Sequence, residues 1–96
     1  MFVLALEIDV HIGSSHSLKD KRQVLRSVLD GARRRYQVAS AEVDGQDSWQ
    51  RAVLGFAAVG SSVSHVEAVI DEVERFVWSF PELEVLSTKR RWLDDD

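Results

Sequence analysis

FVLALEIDVHI, residues 2–12, alternates between two kinds of side chain along its whole length. Its even positions are all apolar, whereas its odd positions include Glu7, Asp9 and His11. This period of two predicts a β-strand. Because one face of the strand is wholly apolar and the other is mixed, we expect helices to cover one side of its sheet and solvent to reach the other.

Two later segments place apolar residues at helical spacing and predict the helices of that covering layer. The first covers residues 17–35 and has Ser17 as its N-cap. The second covers residues 63–79 and has either Ser62 or Ser64 as its N-cap.

The remaining apolar segments predict three more strands. They lie at residues 36–43, 49–59 and 83–88. Asp44 and Gly45 mark a hairpin between the first two. The order βαββαβ predicts an α+β, ferredoxin-like plait, in which a four-stranded antiparallel sheet carries both helices on one face. We expect a single domain over residues 1–88 and a charged C-terminal tail over residues 89–96.

Several classes of protein are disfavoured by what the sequence lacks. The 96 residues include no cysteine, which rules out disulfides and thiolate chemistry. No apolar run approaches the ~20 residues of a membrane span, and the first residues lack the basic region of a signal peptide. We therefore expect a cytoplasmic protein that does not associate with membranes.

The charged residues are unevenly distributed, although the net charge is only −4. Residues 17–36 hold seven basic and two acidic residues, a balance of +5, whereas residues 62–80 hold one basic and four acidic residues, a balance of −3. A basic surface suits an anionic partner. The alternative is that the two helices attract each other or are simply solvated.

The start of the first predicted helix is a candidate anion-binding or RNA-binding site. Lys19, Lys21 and Arg22 lie in its first turns, where the positive end of the helix dipole disfavours cations. Free backbone N–H groups and nearby cations together bind phosphate. Ser17 and Arg26 would extend this site. The alternative is that these cations pair with acidic residues elsewhere and keep the helix soluble.

The predicted hairpin is a candidate contact for a partner. Its polar and aromatic residues are Asp44, Gln46, Asp47, Trp49 and Arg51. Loops carry function more often than cores do, but the alternative is turn chemistry, with Trp49 folded over the helices. We also expect Arg51 to pair with a carboxylate across the strands on the open face of the sheet.

The sequence contains no pattern of residues that is typical of an enzyme active site. The sequence offers no nucleophile–base pair and no glycine-rich phosphate loop, and its histidines lack the spacing of metal ligands. We therefore expect no enzyme activity, no metal and no cofactor.

Two motifs resemble those of the YlxP-like family, a small bacterial domain family of unknown function. They are HSLKDKR at residues 16–22 and AEVDGQDSWQRA at residues 41–52. The resemblance covers about residues 1–88 and implies a ferredoxin-like fold. It also implies an association with translation, because the genes of the family often lie among those for transcription elongation, translation initiation and ribosome maturation. It implies no catalytic residue.

These observations lead to two functional expectations. The first is a non-enzymatic accessory protein of translation or ribosome maturation that contacts ribosomal RNA or a ribonucleoprotein. The second is a homodimeric protein-interaction or small-ligand-binding module. The second follows from the open sheet face, where Val3, Ala5, Val53 and Ala57 are unusually apolar for a surface that faces water.

Overall fold

A computed structural model describes residues 1–93 of the protein and shows one sheet covered by two helices. The elements are β1 (Phe2–His11), α1 (Leu18–Tyr36), β2 (Ala39–Asp44), β3 (Arg51–Gly60), α2 (Val63–Trp78) and β4 (Glu84–Trp92). The strands lie in the order β2-β3-β1-β4, and every neighbouring pair is antiparallel. The predicted ferredoxin-like α+β fold is confirmed.

The alternation in β1 places it at the centre of the core. Its even-numbered residues from Leu4 to Val10 are almost completely buried, and they meet the buried residues of β3 in register, with Leu6 opposite Phe56 and Ile8 opposite Leu54. The helices cover this face. Their buried apolar residues are Leu25, Val28 and Ala32 of α1 and Val66, Ile70, Val73 and Val77 of α2.

Serine caps begin both helices. The Ser17 hydroxyl accepts a hydrogen bond from the backbone N–H of Asp20 at 3.1 Å, as predicted. The Ser62 hydroxyl accepts one from the N–H of His65 at 3.2 Å, which identifies Ser62 rather than Ser64 as the cap of α2. None of the helices within residues 1–93 is long and apolar enough to cross a membrane.

The predicted start of β2 is wrong, because α1 continues through Tyr36. Gln37 adopts a left-handed conformation with φ of 57°, and its N–H donates to the Arg33 carbonyl at 3.0 Å, which ends the helix. The Tyr36 ring packs edge-on against Phe76 of α2, with the ring centroids 5.8 Å apart. This contact favours a last helical turn, and β2 begins only at Ala39.

The helices approach closely at Gly31. A Cβ atom at this position would lie 2.7 Å from the Cζ atom of Phe76, so a glycine is needed for the ring to reach the α1 backbone. Glycine in a helix interior costs about 1 kcal/mol relative to alanine. The packing of Phe76 between the helices gives the physical reason for this residue in the middle of α1.

The predicted end of the last strand is also wrong, because β4 continues to Trp92. Lys89 pairs with Glu7, and Trp92 pairs with Leu4, so residues 89–92 belong to the sheet rather than to a tail. The polar sequence of residues 89–92 does not predict a strand from apolar alternation, because β4 is an edge strand whose side chains are largely exposed. The last three residues of the predicted tail, residues 94–96, lie outside the described part of the chain.

Acidic residues of α2 pair with β4. Arg90 lies 2.9 Å from a carboxylate oxygen of Asp71 and 3.3 Å from one of Glu74. Within residues 1–93, no ion pair joins α1 to α2. The positive charge of α1 is therefore not neutralised by the acidic helix beside it.

Candidate functional site

Lys21 is buried, although it was predicted to bind an external anion. Its side chain is 2% exposed, and Nζ donates to Glu42 Oε2 at 2.8 Å. The same nitrogen lies 2.8, 3.4 and 3.3 Å from the carbonyl oxygens of Gly45, Gln46 and Arg51. An ammonium group has three N–H donors, and internal acceptors occupy them here. The prediction that Lys21 belongs to an anion site is therefore wrong.

The start of α1 is occupied by its own capping groups. Ser17 serves as the cap, and the Asp20 carboxylate accepts a hydrogen bond from the N–H of His16 at 3.0 Å. The Ser15 hydroxyl donates to the Ser17 carbonyl at 3.0 Å. An external anion at this position would meet the negative charge of Asp20. Ser17 therefore caps the helix, and the flank of α1 is a better candidate for anion binding than its N-terminus.

Three exposed cations form a row along that flank. Lys19, Arg22 and Arg26 are spaced at i, i+3 and i+7, which places them on one side of α1. We call these three residues the basic row. None of them lies within 4 Å of an acidic oxygen anywhere in residues 1–93. The row therefore keeps its positive charge available to a partner.

A groove continues the basic row toward the edge of the sheet. Its volume is about 290 Å³, and its lining residues are Arg22, Leu25, Arg26, Leu29, Asp30, Arg33 and Glu42. Arg33 is held in place, because it donates to the Asp30 carboxylate and to the Ser40 carbonyl, the latter at 2.7 Å. Glu42 joins this groove to the Lys21 ammonium group.

The hairpin between β2 and β3 is tied to the loop before α1. The Gln50 side-chain amide donates to the Ser15 carbonyl at 3.0 Å, and the Ile12 N–H donates to the Gln50 carbonyl at 2.8 Å. Lys21 holds the same hairpin from the helix side. The hairpin therefore adjoins the start of α1, although the two candidate sites are about 25 residues apart in sequence.

The turn of this hairpin follows the predicted chemistry. Gly45 has φ of 84°, a value that glycine adopts without strain. The Asp44 carboxylate accepts a hydrogen bond from the Gly45 N–H at 2.8 Å. Gln46 donates from its side chain to the Glu42 carbonyl at 3.3 Å. Asp44 and Gln46 therefore shape the turn while remaining exposed at the surface.

Trp49 is exposed at the tip of the hairpin. Its exposed fraction is 54%, and it is not one of the buried residues of the hydrophobic core. Trp49 is therefore more exposed than the interpretation that it covers the helix layer implies. Asp47 is also exposed beside it.

Arg51 lies on the opposite face of the sheet from the basic row. Its Nε donates to Asp9 Oδ1 at 3.0 Å, and a second bond joins Nη2 to Oδ2, which confirms the predicted pairing across the strands. These hydrogen bonds lower the pKa of the Asp9 carboxyl below its ordinary value of 3.8, while partial burial opposes them. Only the backbone carbonyl of Arg51 takes part in the surface around Lys21.

The open face of the sheet contains a groove that the sequence did not predict as such. Its volume is about 420 Å³, and its lining residues are Ala5, Leu6, Glu7, Ala39, Ser40, Ala41, Val43, Gly55, Phe56 and Ala57. Gly55 makes room for Val43, because a Cβ atom there would lie 2.7 Å from the Val43 Cγ1 atom. The small side chains leave a shallow apolar surface.

Comparison with known proteins identifies the family. The model of a family described as "Protein of unknown function (DUF503)" matches residues 3–90. The chain belongs to this family. A relative, "Uncharacterized protein YlxP" from Bacillus subtilis (strain 168), is 38% identical over 86 residues, which cover 90% of this chain and 94% of that protein. The resemblance inferred from the two sequence motifs is confirmed, and the family match spans both the basic row and the hairpin.

Replacing Lys21 tests its structural role. We expect Lys21→Met to lower the free energy of unfolding by about 2–4 kcal/mol, because it leaves the Glu42 carboxylate and the loop carbonyls without their donor. The matched change Arg22→Met, at an exposed neighbour, should alter stability by no more than about 0.5 kcal/mol. Urea denaturation measures both, and equal stabilities for the two variants would contradict the assigned role.

The Asp9–Arg51 pair predicts a dependence of stability on pH. Because the pKa of Asp9 is lowered in the folded state, its contribution is present above its unfolded pKa and is lost as the pH falls through the folded value. Between about pH 5 and about pH 2, the wild type should therefore lose more stability than Asp9→Asn. Urea denaturation across this range measures the difference, and parallel curves would contradict it.

Proposed function

We propose that the protein is a non-enzymatic accessory protein of translation or ribosome maturation, which binds ribosomal RNA or a ribonucleoprotein through the basic row. The observation that carries this proposal is the set of three exposed cations, Lys19, Arg22 and Arg26, on one side of α1. Cations that neutralise phosphates release condensed counterions and thereby drive binding to nucleic acids.

The geometry favours binding through the helix side and not through the sheet. Sheet-based recognition of RNA relies on exposed aromatic side chains that stack on bases. The aromatic residue of β3, Phe56, is only 3% exposed because it faces the helices. The exposed face of β1 and β3 presents Ala5, Gly55 and Ala57 instead. The helix flank therefore offers the more suitable surface for phosphates.

The number of free cations in the basic row determines how strongly RNA binding should depend on salt. Three phosphate contacts correspond to a slope of roughly −2 to −3 in the logarithm of the binding constant against the logarithm of the salt concentration. The net charge of −4 and the acidic face of α2 oppose tight binding to any RNA regardless of shape. A modest, salt-sensitive affinity for a particular ribonucleoprotein surface follows. The gene neighbourhood implied by the family resemblance agrees with such a partner.

Co-sedimentation with ribosomal subunits tests this function. The wild type should migrate with a subunit at low salt and dissociate as salt rises, whereas Arg22→Glu/Arg26→Glu should not migrate with it. Lys89→Glu/Arg91→Glu is the matched control, because it changes the net charge equally on the open sheet face. The proposed function would be refuted if the two double variants bound the subunit equally well. It would also be refuted if the wild type did not bind a subunit even at low salt.

The open sheet face supports a second candidate, a homodimer. Its groove is apolar, and Val43 and Val59 on the same face are 49% and 63% exposed. Small-molecule sites usually contain several polar groups that orient the ligand. The groove on the open face is lined by few polar side chains. A shallow surface of small side chains suits the flat sheet of a second copy. The candidate partner is therefore another molecule of the same chain.

Analytical ultracentrifugation tests the homodimer. The wild type should sediment as a dimer at high micromolar concentration, and Val43→Glu should sediment as a monomer because it places a charge in the apolar groove. Val63→Glu is the matched control, since Val63 is similarly exposed, at 41%, but lies at the start of α2 on the other side of the sheet. A wild type that remains monomeric would exclude this candidate.

A further inference from the structure

The groove between α1 and β2 connects the basic row to a site of mixed chemistry. Arg22 and Arg26 belong to the basic row, and both also line this groove. Leu25 and Leu29 line it as well, and they lie in the hydrophobic core or pack against it. The groove therefore combines an apolar floor with exposed guanidinium groups, and a ligand held by the basic row reaches it directly.

Two carboxylates that line the groove each keep one oxygen for an external donor. Glu42 accepts a hydrogen bond from Lys21 through Oε2. Asp30 accepts one from Arg33 through Oδ1. The other oxygens, Glu42 Oε1 and Asp30 Oδ2, have no hydrogen-bond partner within residues 1–93, yet no buried side-chain oxygen in this range lacks a partner. Both oxygens therefore reach the solvent, where an N–H or O–H group of a ligand can donate to them.

The charges of the groove attract a ligand that carries phosphate. Each of the two carboxylates is paired with a cation of its own, Lys21 or Arg33. Arg22 and Arg26 have no acidic oxygen within 4 Å in residues 1–93, so their positive charges are not compensated there. The net charge of the groove is therefore positive, although it contains hydrogen-bond acceptors.

These features suit an unpaired nucleobase. The flat face of a base packs against apolar side chains, and its Watson–Crick edge is available for hydrogen bonds only outside a duplex. Guanine presents two neighbouring donor groups on that edge, N1–H and N2–H₂, whereas in the other three RNA bases the donor is flanked by an acceptor that carboxylate oxygens repel. The groove volume of about 290 Å³ lies just below the range of about 300–1,000 Å³ for sites that hold a drug-sized molecule, so it offers room for a single base.

We infer that the groove between α1 and β2 binds an unpaired guanine of single-stranded RNA, whose phosphates contact Arg22 and Arg26. This inference rests on the proposed function and names the part of the RNA that the same surface recognises. The two free carboxylate oxygens accept hydrogen bonds from the Watson–Crick edge of the base, and the apolar floor contacts its flat face. The groove therefore distinguishes between bases, which phosphate contacts alone do not.

Binding of labelled RNAs that differ in one base tests this inference. A uridine-rich single strand of about twelve nucleotides with one central guanosine should bind roughly 5- to 150-fold more tightly than the same strand with uridine there, the range for one well-formed base contact. Inosine lacks the N2 amino group, so an inosine strand should bind more weakly than the guanosine strand. Fluorescence anisotropy at low salt measures the three affinities, and this comparison needs no protein variant.

Asp30→Asn separates base recognition from charge. It replaces an acceptor oxygen by an NH₂ group and should abolish the preference for guanosine, while the affinity for the all-uridine strand should stay equal or rise because a negative charge is removed. Asp71→Asn is the matched control, because Asp71 is also a half-exposed helical aspartate paired with an arginine, Arg90, but lies on α2. This control should keep the preference for guanosine.

Several results would overturn the guanine site while leaving the proposed function intact. One is equal affinity for all three strands when Arg22→Glu/Arg26→Glu still weakens binding. Another is a preference for guanosine that Asp30→Asn retains. Binding of free guanosine monophosphate as tight as that of the guanosine strand would assign the groove to a nucleotide rather than to RNA. If the wild type binds none of the strands, the guanine site fails, and co-sedimentation with ribosomal subunits decides the proposed function separately. Urea denaturation confirms that each variant is folded.

Discussion

The surface around the hairpin depends on the buried ammonium group of Lys21. Removing a charge from water costs several kcal/mol unless an opposite charge and well-placed hydrogen bonds compensate. Here Glu42 supplies the charge, and the carbonyls of the turn supply the hydrogen bonds. These acceptors come together only when the hairpin is closed over α1. The position of the helix and the conformation of the turn are therefore coupled, and two separate stretches of sequence are held together.

The sheet divides the molecule into two sides with different chemistry. The helix side presents the basic row, whereas the open side presents an apolar groove and the Asp9–Arg51 pair. A dimer formed through the open side would leave both basic rows outside, so the two candidate functions are compatible. The acidic face of α2 pairs with Arg90. An acidic protein can thus carry a local basic surface, because screening confines its charges to about 10 Å.

Most of the fold followed from local patterns in the sequence. Alternation in β1, apolar spacing in the helices and the serine cap of α1 depend on residues that are close together in the chain. They predicted the order of the elements and hence the central position of β1 and β3. The errors fell at boundaries where distant contacts prevail. Tyr36 stays helical because it packs on Phe76, and β4 reaches Trp92 because β1 pairs with it.

For the candidate site, the sequence by itself determined which residues are charged or aromatic and that Arg22 and Arg26 share a helix flank. It also held one unused signal, because Lys21 occupies a position of the apolar stripe that continues through Leu25 and Val28. Only the tertiary structure decided which cations remain free. The acceptors that bury Lys21 come from residues 42–51, and the free energy of a buried charge depends on such long-range neighbours, which no local pattern encodes.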